Sequence, residues 1–169
     1  MTGLDRYAPL ADEAAAAVAR REAQYPALIA AGKLAAEQAA REIRVWRAIA
    51  ADWRWVVTLE RIATDPATLA EKIAALEDST RRAERAMRKA FASADSSVRE
   101  AWRQEMPIAV IADRYGDAAT PFLAEWERYW SFADLLDWYR RDLPASTRPG
   151  IAHFVERAPM ASPNRKAAA

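Results

Sequence analysis

Apolar and polar residues follow one another along this chain with a helical rather than a strand period. From residue 35 to about residue 62, Ala39, Ile43, Trp46, Ala50, Trp53 and Val57 recur at alternate spacings of four and three, which lays an apolar seam along one helix face. Asp65 reads as an N-cap with Pro66 at the first helical position, and Leu69, Ile73, Leu76, Thr80, Ala83 and Met87 then repeat the spacing as far as residue 91. Two helices of roughly 27 residues joined by a short turn predict an antiparallel hairpin about 40 Å long. Its seam should bury Trp46 and Trp53.

Upstream, residues 11–24 read as an alanine-rich helix, with 27–31 a further turn or a continuation beyond Pro26, and Gly32 fits a helix-ending position. Downstream, the polar stretch 93–97 breaks the pattern. Short helices follow over 98–105 and 108–115, and a third begins where Thr120 could cap it and Pro121 take the first position. In that third helix Phe122, Trp126, Tyr129, Trp130, Phe132, Leu135, Trp138 and Tyr139 spread over most of the circumference, as in a helix central to a core or covered by a partner. A last short helix is expected over 148–156, and 158–169 has the composition of a disordered tail. The expected fold is all-α, a long antiparallel helical hairpin packed with a C-terminal cluster of shorter helices. Its parts are an N-terminal helix within 1–34, the hairpin over 35–91 and the cluster over 97–157, in one cooperative domain.

Composition changes this picture in two ways. Much of the 52% hydrophobic content is alanine, which favours helix but buries little area, so the seven tryptophans carry an outsized share of any core. With no cysteine, disulfides, thiolate nucleophiles and Cys-ligated metals are excluded. The lack of a basic stretch followed by an apolar run, and of a membrane-length apolar window, leads to the expectation of a soluble cytoplasmic protein. Twenty-five basic against 24 acidic residues supply no global field, so any charged partner must be met by a local patch.

The run YPALIAAGKLAAEQAAREIRVWRAIAADWRW, residues 25–55, resembles a segment of small uncharacterised phage and prophage helical proteins, with its Tyr-Pro, its Gly-Lys turn and its Ile-Ala-x-Asp ending. The resemblance implies a mobile-element origin and no particular activity.

Enzyme chemistry finds little to stand on. The single histidine, His153, has no nucleophile or carboxylate set beside it by spacing, and reads as a structural or surface residue. A count of one excludes histidine-cluster metal sites, and four glycines form no phosphate loop, nucleophile elbow or dinucleotide fingerprint. The expectation is a non-enzymatic protein without cofactor or catalytic residue.

Three surfaces remain as candidates. Ile108 to Thr120 looks like the first helix and turn of a helix-turn-helix, with Ala112 small where two helices would cross, Gly116 in the turn and Thr120 opening the next helix. The helix that would enter DNA presents Phe122, Glu125, Trp126 and Glu127, and residues 105–137 hold seven acids against two arginines, a balance that repels phosphate. The second candidate is Arg81, Arg82, Arg85, Arg88 and Lys89, of which 81, 85 and 88 share a helix face; it reads as a solvated face paired with Glu77, Asp78 and Glu84, or as a patch for nucleic acid or an acidic protein surface. The third is aromatic. Trp46, Trp53, Trp126 and Trp130 read as core, while Trp55, Trp102 and Trp138 fall on other faces and could anchor an interface. The scarcity of enzyme chemistry and the surplus of aromatic residues, taken with the mobile-element origin that the resemblance implies, lead to the expectation of a phage-type interaction protein that binds and blocks or scaffolds a macromolecule, for instance an anti-CRISPR-like inhibitor of a host defence complex. A helix-turn-helix DNA-binding regulator and a helical assembly component are the alternatives.

Overall fold

The structure is a computed structural model and describes residues 4–156; the predicted disordered tail, 158–169, lies outside them. Among the described residues there are seven α-helices and no strand: α1 Ala8–Ala30, α2 Ala36–Thr58, α3 Leu69–Ser93, α4 Ser96–Arg103, α5 Ile108–Tyr115, α6 Thr120–Arg140 and α7 Ile151–Glu156. The fold is all-α.

α1 runs unbroken through Pro26, which is exposed. It ends at Gly32, whose φ of +66° is open to glycine at little cost. The Lys33 amide reaches back to the Leu28 carbonyl and the Gly32 amide to Ile29, the paired bonds of a Schellman turn.

α2 stops at Thr58, earlier than the seam suggested, and 59–68 forms an irregular connector rather than a short turn. Leu59 ends α2 in the left-handed region at φ +59°. Asp65 is exposed within the connector and caps nothing; the cap of α3 is Thr68. Its Oγ1 accepts the Glu71 amide at 3.1 Å while its own amide donates to the Glu71 carboxylate at 2.8 Å, a reciprocal capping box.

The two helices of the expected hairpin are not each other's main partners. α3 packs chiefly along α6 and α2 along α1, while α2 and α3 meet only sparsely, with a cleft between them. The hairpin seam is thus filled from α1 and α6 as well as from within. Trp46 and Trp53 are both 1% exposed, Trp46 edge-on to Phe132 of α6 and Trp53 against Tyr7 and Trp138. Truncating a tryptophan so enclosed costs about 3–5 kcal/mol.

α3 and α6 run through two cores. The larger gathers Leu10, Ile49, Trp53, Leu76, Leu135 and Tyr139 from four long helices. The smaller, at the far end, gathers Val98, Ala101, Ile111, Ala119, Phe122 and Leu123 from α4, α5 and the start of α6. A helix that serves both cores and contacts several partners needs apolar residues on every side, which accounts for the circumferential pattern of α6.

Candidate functional site

A charge set into an apolar stripe marks the interior chemistry of this fold. On α2, Asp52 falls in register with buried Val45, Ile49 and Val56; on α3, Lys72 falls in register with buried Leu76, Ser79 and Ala83. The two meet: Lys72 Nζ lies 2.7 Å from Asp52 Oδ2, with side chains only 16% and 17% exposed. Tyr139 of α6, fully buried, donates its hydroxyl to the same oxygen at 2.8 Å, and Lys72 also lies over the Tyr139 ring. Burial first, and then the Asp52 charge, push the Tyr139 hydroxyl well above its ordinary range, so it stays a donor. These groups border a cavity of about 310 Å³ with Asp142, whose carboxylate accepts the Ala152 amide. The network joins α2, α3 and α6. Neither the apolar seam nor any sequence motif marks it; charges at stripe positions are its signal in the sequence.

Arg21 occupies the same kind of position on α1, in register with buried Leu10, Ala14, Ala17 and Tyr25. Its guanidinium lies 4.4 Å from the Trp46 ring centroid and donates to the Ala17 carbonyl and Ser79 Oγ, each at 3.0 Å. Among the described residues no carboxylate forms a direct ion pair with it, and its enclosed Nε has no hydrogen-bond partner. Burial lowers its pKa, against the nearby Tyr25 and Glu42, which raise it.

Beyond Lys72, the basic residues of α3 are at the surface. Arg81, Arg82, Arg85, Arg88 and Lys89 are all exposed. Arg82 pairs with Asp78 and Arg88 with Glu84 at 2.6 Å, whereas Arg81 stands 4.0 Å from Asp78, and Arg85 and Lys89 have no ionic partner among the described residues. Exposed helix pairs of this type contribute about 0.3–0.5 kcal/mol and are readily exchanged. Glu77, the other expected neighbour, turns instead to Arg140 of α6 at 2.8 Å.

Arg81 and Arg82 also border the cleft between α2 and α3, about 550 Å³ in volume, with Arg21, Arg41 and Arg44 completing five guanidinium groups. Facing them are Glu42, Glu71 and Asp78. Both terminal nitrogens of Arg44 reach the Glu71 carboxylate, at 2.5 and 3.3 Å. That contact, with the Thr68 amide bond, holds the Glu71 carboxyl at about 2.

The aromatic candidates are distributed otherwise than their spacing suggested. Trp55, Trp102 and Trp138 are half-buried and engaged internally. Trp55 donates to the Phe154 carbonyl at 3.3 Å beneath the Arg61 guanidinium, Trp102 stands edge-on to Phe122 at 5.0 Å, and Trp138 sits among Tyr7, Trp53 and Phe154 with Arg141 stacked at 3.9 Å. Of the two α6 tryptophans read as core, Trp126 is half-buried against the smaller core, while Trp130 is 46% exposed. The cause is that α4 covers the α6 face that carries Trp126 only as far as Trp102, leaving Trp130 beyond it.

The turn after α5 has Gly116 at φ +48°, ψ −124°, a conformation that needs glycine. Ala112 is exposed rather than at a helix crossing, where Ile111 and Ala119 are buried instead. Thr120 does not cap α6; its hydroxyl donates back to the Gly116 carbonyl at 3.1 Å. The first turns of α6 expose Thr120, Pro121, Ala124 and Glu127, and Arg128 is held by Glu125 at 3.0 Å.

Among the described residues no helix is long and apolar enough to cross a membrane, and no three or more acidic or histidine side chains are grouped to hold a metal ion. His153 is exposed, edge-on to Phe154. Comparison with protein-family models, curated proteins and solved structures finds no match to this chain.

Proposed function

We propose that this is a non-enzymatic binding protein that docks on an acidic protein surface through the outward face of α3 and so blocks or scaffolds its partner. The observation that carries the reading is the row Arg81, Arg85 and Arg88, flanked by Arg82 and Lys89, all exposed on a helix whose opposite side is fixed against α6. Its cations are unpaired or held by exchangeable surface pairs, so docking costs little internal structure. Asp78 and Glu84 interrupt the row. A mixed-charge protein surface tolerates such interruptions, whereas a continuous polyanion does not. The phage origin implied by residues 25–55 belongs to the same proposal, and an anti-CRISPR-like inhibitor is one member of the class.

The DNA-reading alternative has weaker support, since the exposed start of α6 offers Glu127 and no free basic side chain for phosphates. The test is affinity purification of the tagged protein from host lysate, with and without nuclease, beside the variant R81E/R85E/R88E. A stoichiometric protein partner that survives nuclease and is lost with the variant is the expected result. Recovery of nucleic acid alone, or capture indifferent to the charge reversal, overturns the reading; large homo-oligomers by light scattering would favour an assembly role instead.

A further inference from the structure

The cleft between α2 and α3 has more positive charge than its own carboxylates can match. Glu42 accepts the Tyr25 hydroxyl and, at 3.2 Å, the Gln38 amide; Glu71 is taken by Arg44 and by the α3 cap; Asp78 is taken by Arg82. Five guanidinium groups against three carboxylates leave an excess of two charges. The residues behind that excess are identifiable. Arg41 is exposed and has no partner among the described residues, Arg81 touches Asp78 only at 4.0 Å, and Arg21, in the floor beside Trp46, donates to neutral acceptors alone. Burying a cation with no direct ion pair is a cost to the fold: burial lowers the Arg21 pKa even though the nearby Tyr25 and Glu42 raise it. An anion in the cleft offsets that cost.

We propose that this cleft binds a small phosphate monoester, its dianionic phosphate held by Arg41 and Arg81 above Arg21 and its organic part against Ala74 and Ala75. Guanidinium forks match phosphate oxygens bidentately, and a monoester, at about −1.5 to −2 near pH 7, balances the two-charge excess. The cleft volume falls in the range of small-ligand sites, roughly 300–1,000 Å³. A nucleic-acid backbone suits it less, because it brings one charge per phosphate and would lay successive phosphates along Glu42, Glu71 and Asp78. The site does not rest on the docking reading: it shares Arg81 with the α3 row but depends on Arg21 and Arg41, which lie on other helices.

The experiment is calorimetric titration of the full chain with phenyl phosphate at fixed ionic strength, with benzenesulfonate as the monoanionic control. Saturable one-to-one binding of phenyl phosphate, at least about tenfold tighter than benzenesulfonate, is expected, since the sulfonate offers the same three oxygens with about one negative charge fewer against the two-charge excess. R41Q/R81Q, at exposed positions, should weaken it by a similar factor with an unchanged circular dichroism spectrum. R85Q/K89Q, off the cleft, should leave it unchanged while weakening capture of a macromolecular partner. Absence of saturable binding, equal binding of benzenesulfonate, or equal loss in both double variants overturns the site without touching the docking proposal.

Discussion

Asp52→Ala removes the oxygen to which both Lys72 and Tyr139 donate, at 2.7 and 2.8 Å. Lys72 is then left as an ammonium only 16% exposed, and the buried Tyr139 hydroxyl loses its acceptor. Breaking a buried pair costs about 3–5 kcal/mol, and an unsatisfied hydroxyl about 1–3. The two overlap, residual exposure lets water reach Lys72, and Asp142 borders the same cavity, so the lower end applies: about 3 kcal/mol. For a chain of this size that is a fall of roughly 6–12 °C in melting temperature. Urea unfolding followed by circular dichroism, at constant slope, gives the free energy directly. Asp52→Asn keeps an acceptor for Tyr139 and should lose less. Adding Lys72→Met to Asp52→Ala removes the stranded charge and should recover a substantial part of the loss, a coupling that a double-mutant cycle isolates. A cost under about 1 kcal/mol, or no recovery in the double variant, would refute the claim that this network locks α2, α3 and α6 together.

Backbone and pH tests bear on other parts of the fold. Glu105 ends α4 at φ +56° in a Schellman turn, with Met106 bonded to Ala101 and Glu105 to Trp102, so Glu105→Gly should stabilise by about 1 kcal/mol in thermal or urea unfolding. Gly116→Ala meets no atom within 4 Å, so its cost is backbone strain alone, about 1–3 kcal/mol, and should be seen as a lower urea midpoint with an unchanged slope. Glu71 has its carboxyl held at about 2 against an ordinary 4.5, so the unfolded chain binds more protons between those values. Its contribution is therefore present above pH 4.5 and is lost as pH falls toward 2. In unfolding at stepped pH, Glu71→Gln should be less stable than the parent at neutral pH and converge with it near pH 2.

The helices, their order and their approximate bounds follow from residue periods and punctuation, because a 3.6-residue repeat and a glycine or proline act locally. α5 at Ile108–Tyr115 agrees with the expected 108–115, the break after Ser93 agrees with the polar stretch, and the apolar circumference of α6 marked it as central. Caps were less legible: Asp65 with Pro66 carries the usual signature, yet Thr68 and Glu71 satisfy two amides reciprocally and fix the start of α3. What the chain alone left open is which apolar face meets which. A stripe on α3 is equally suited to α2 or to α6, and the choice of α6 opens the arginine-lined cleft and brings Asp52, Lys72 and Tyr139 together across as many as 87 residues of sequence. The same assignment leaves Trp130 exposed while it packs Trp138, half-buried, against the larger core. Period and propensity are properties of a helix by itself, whereas burial, ion pairing and the geometry of a cleft depend on the relative placement of helices, which no local spacing encodes.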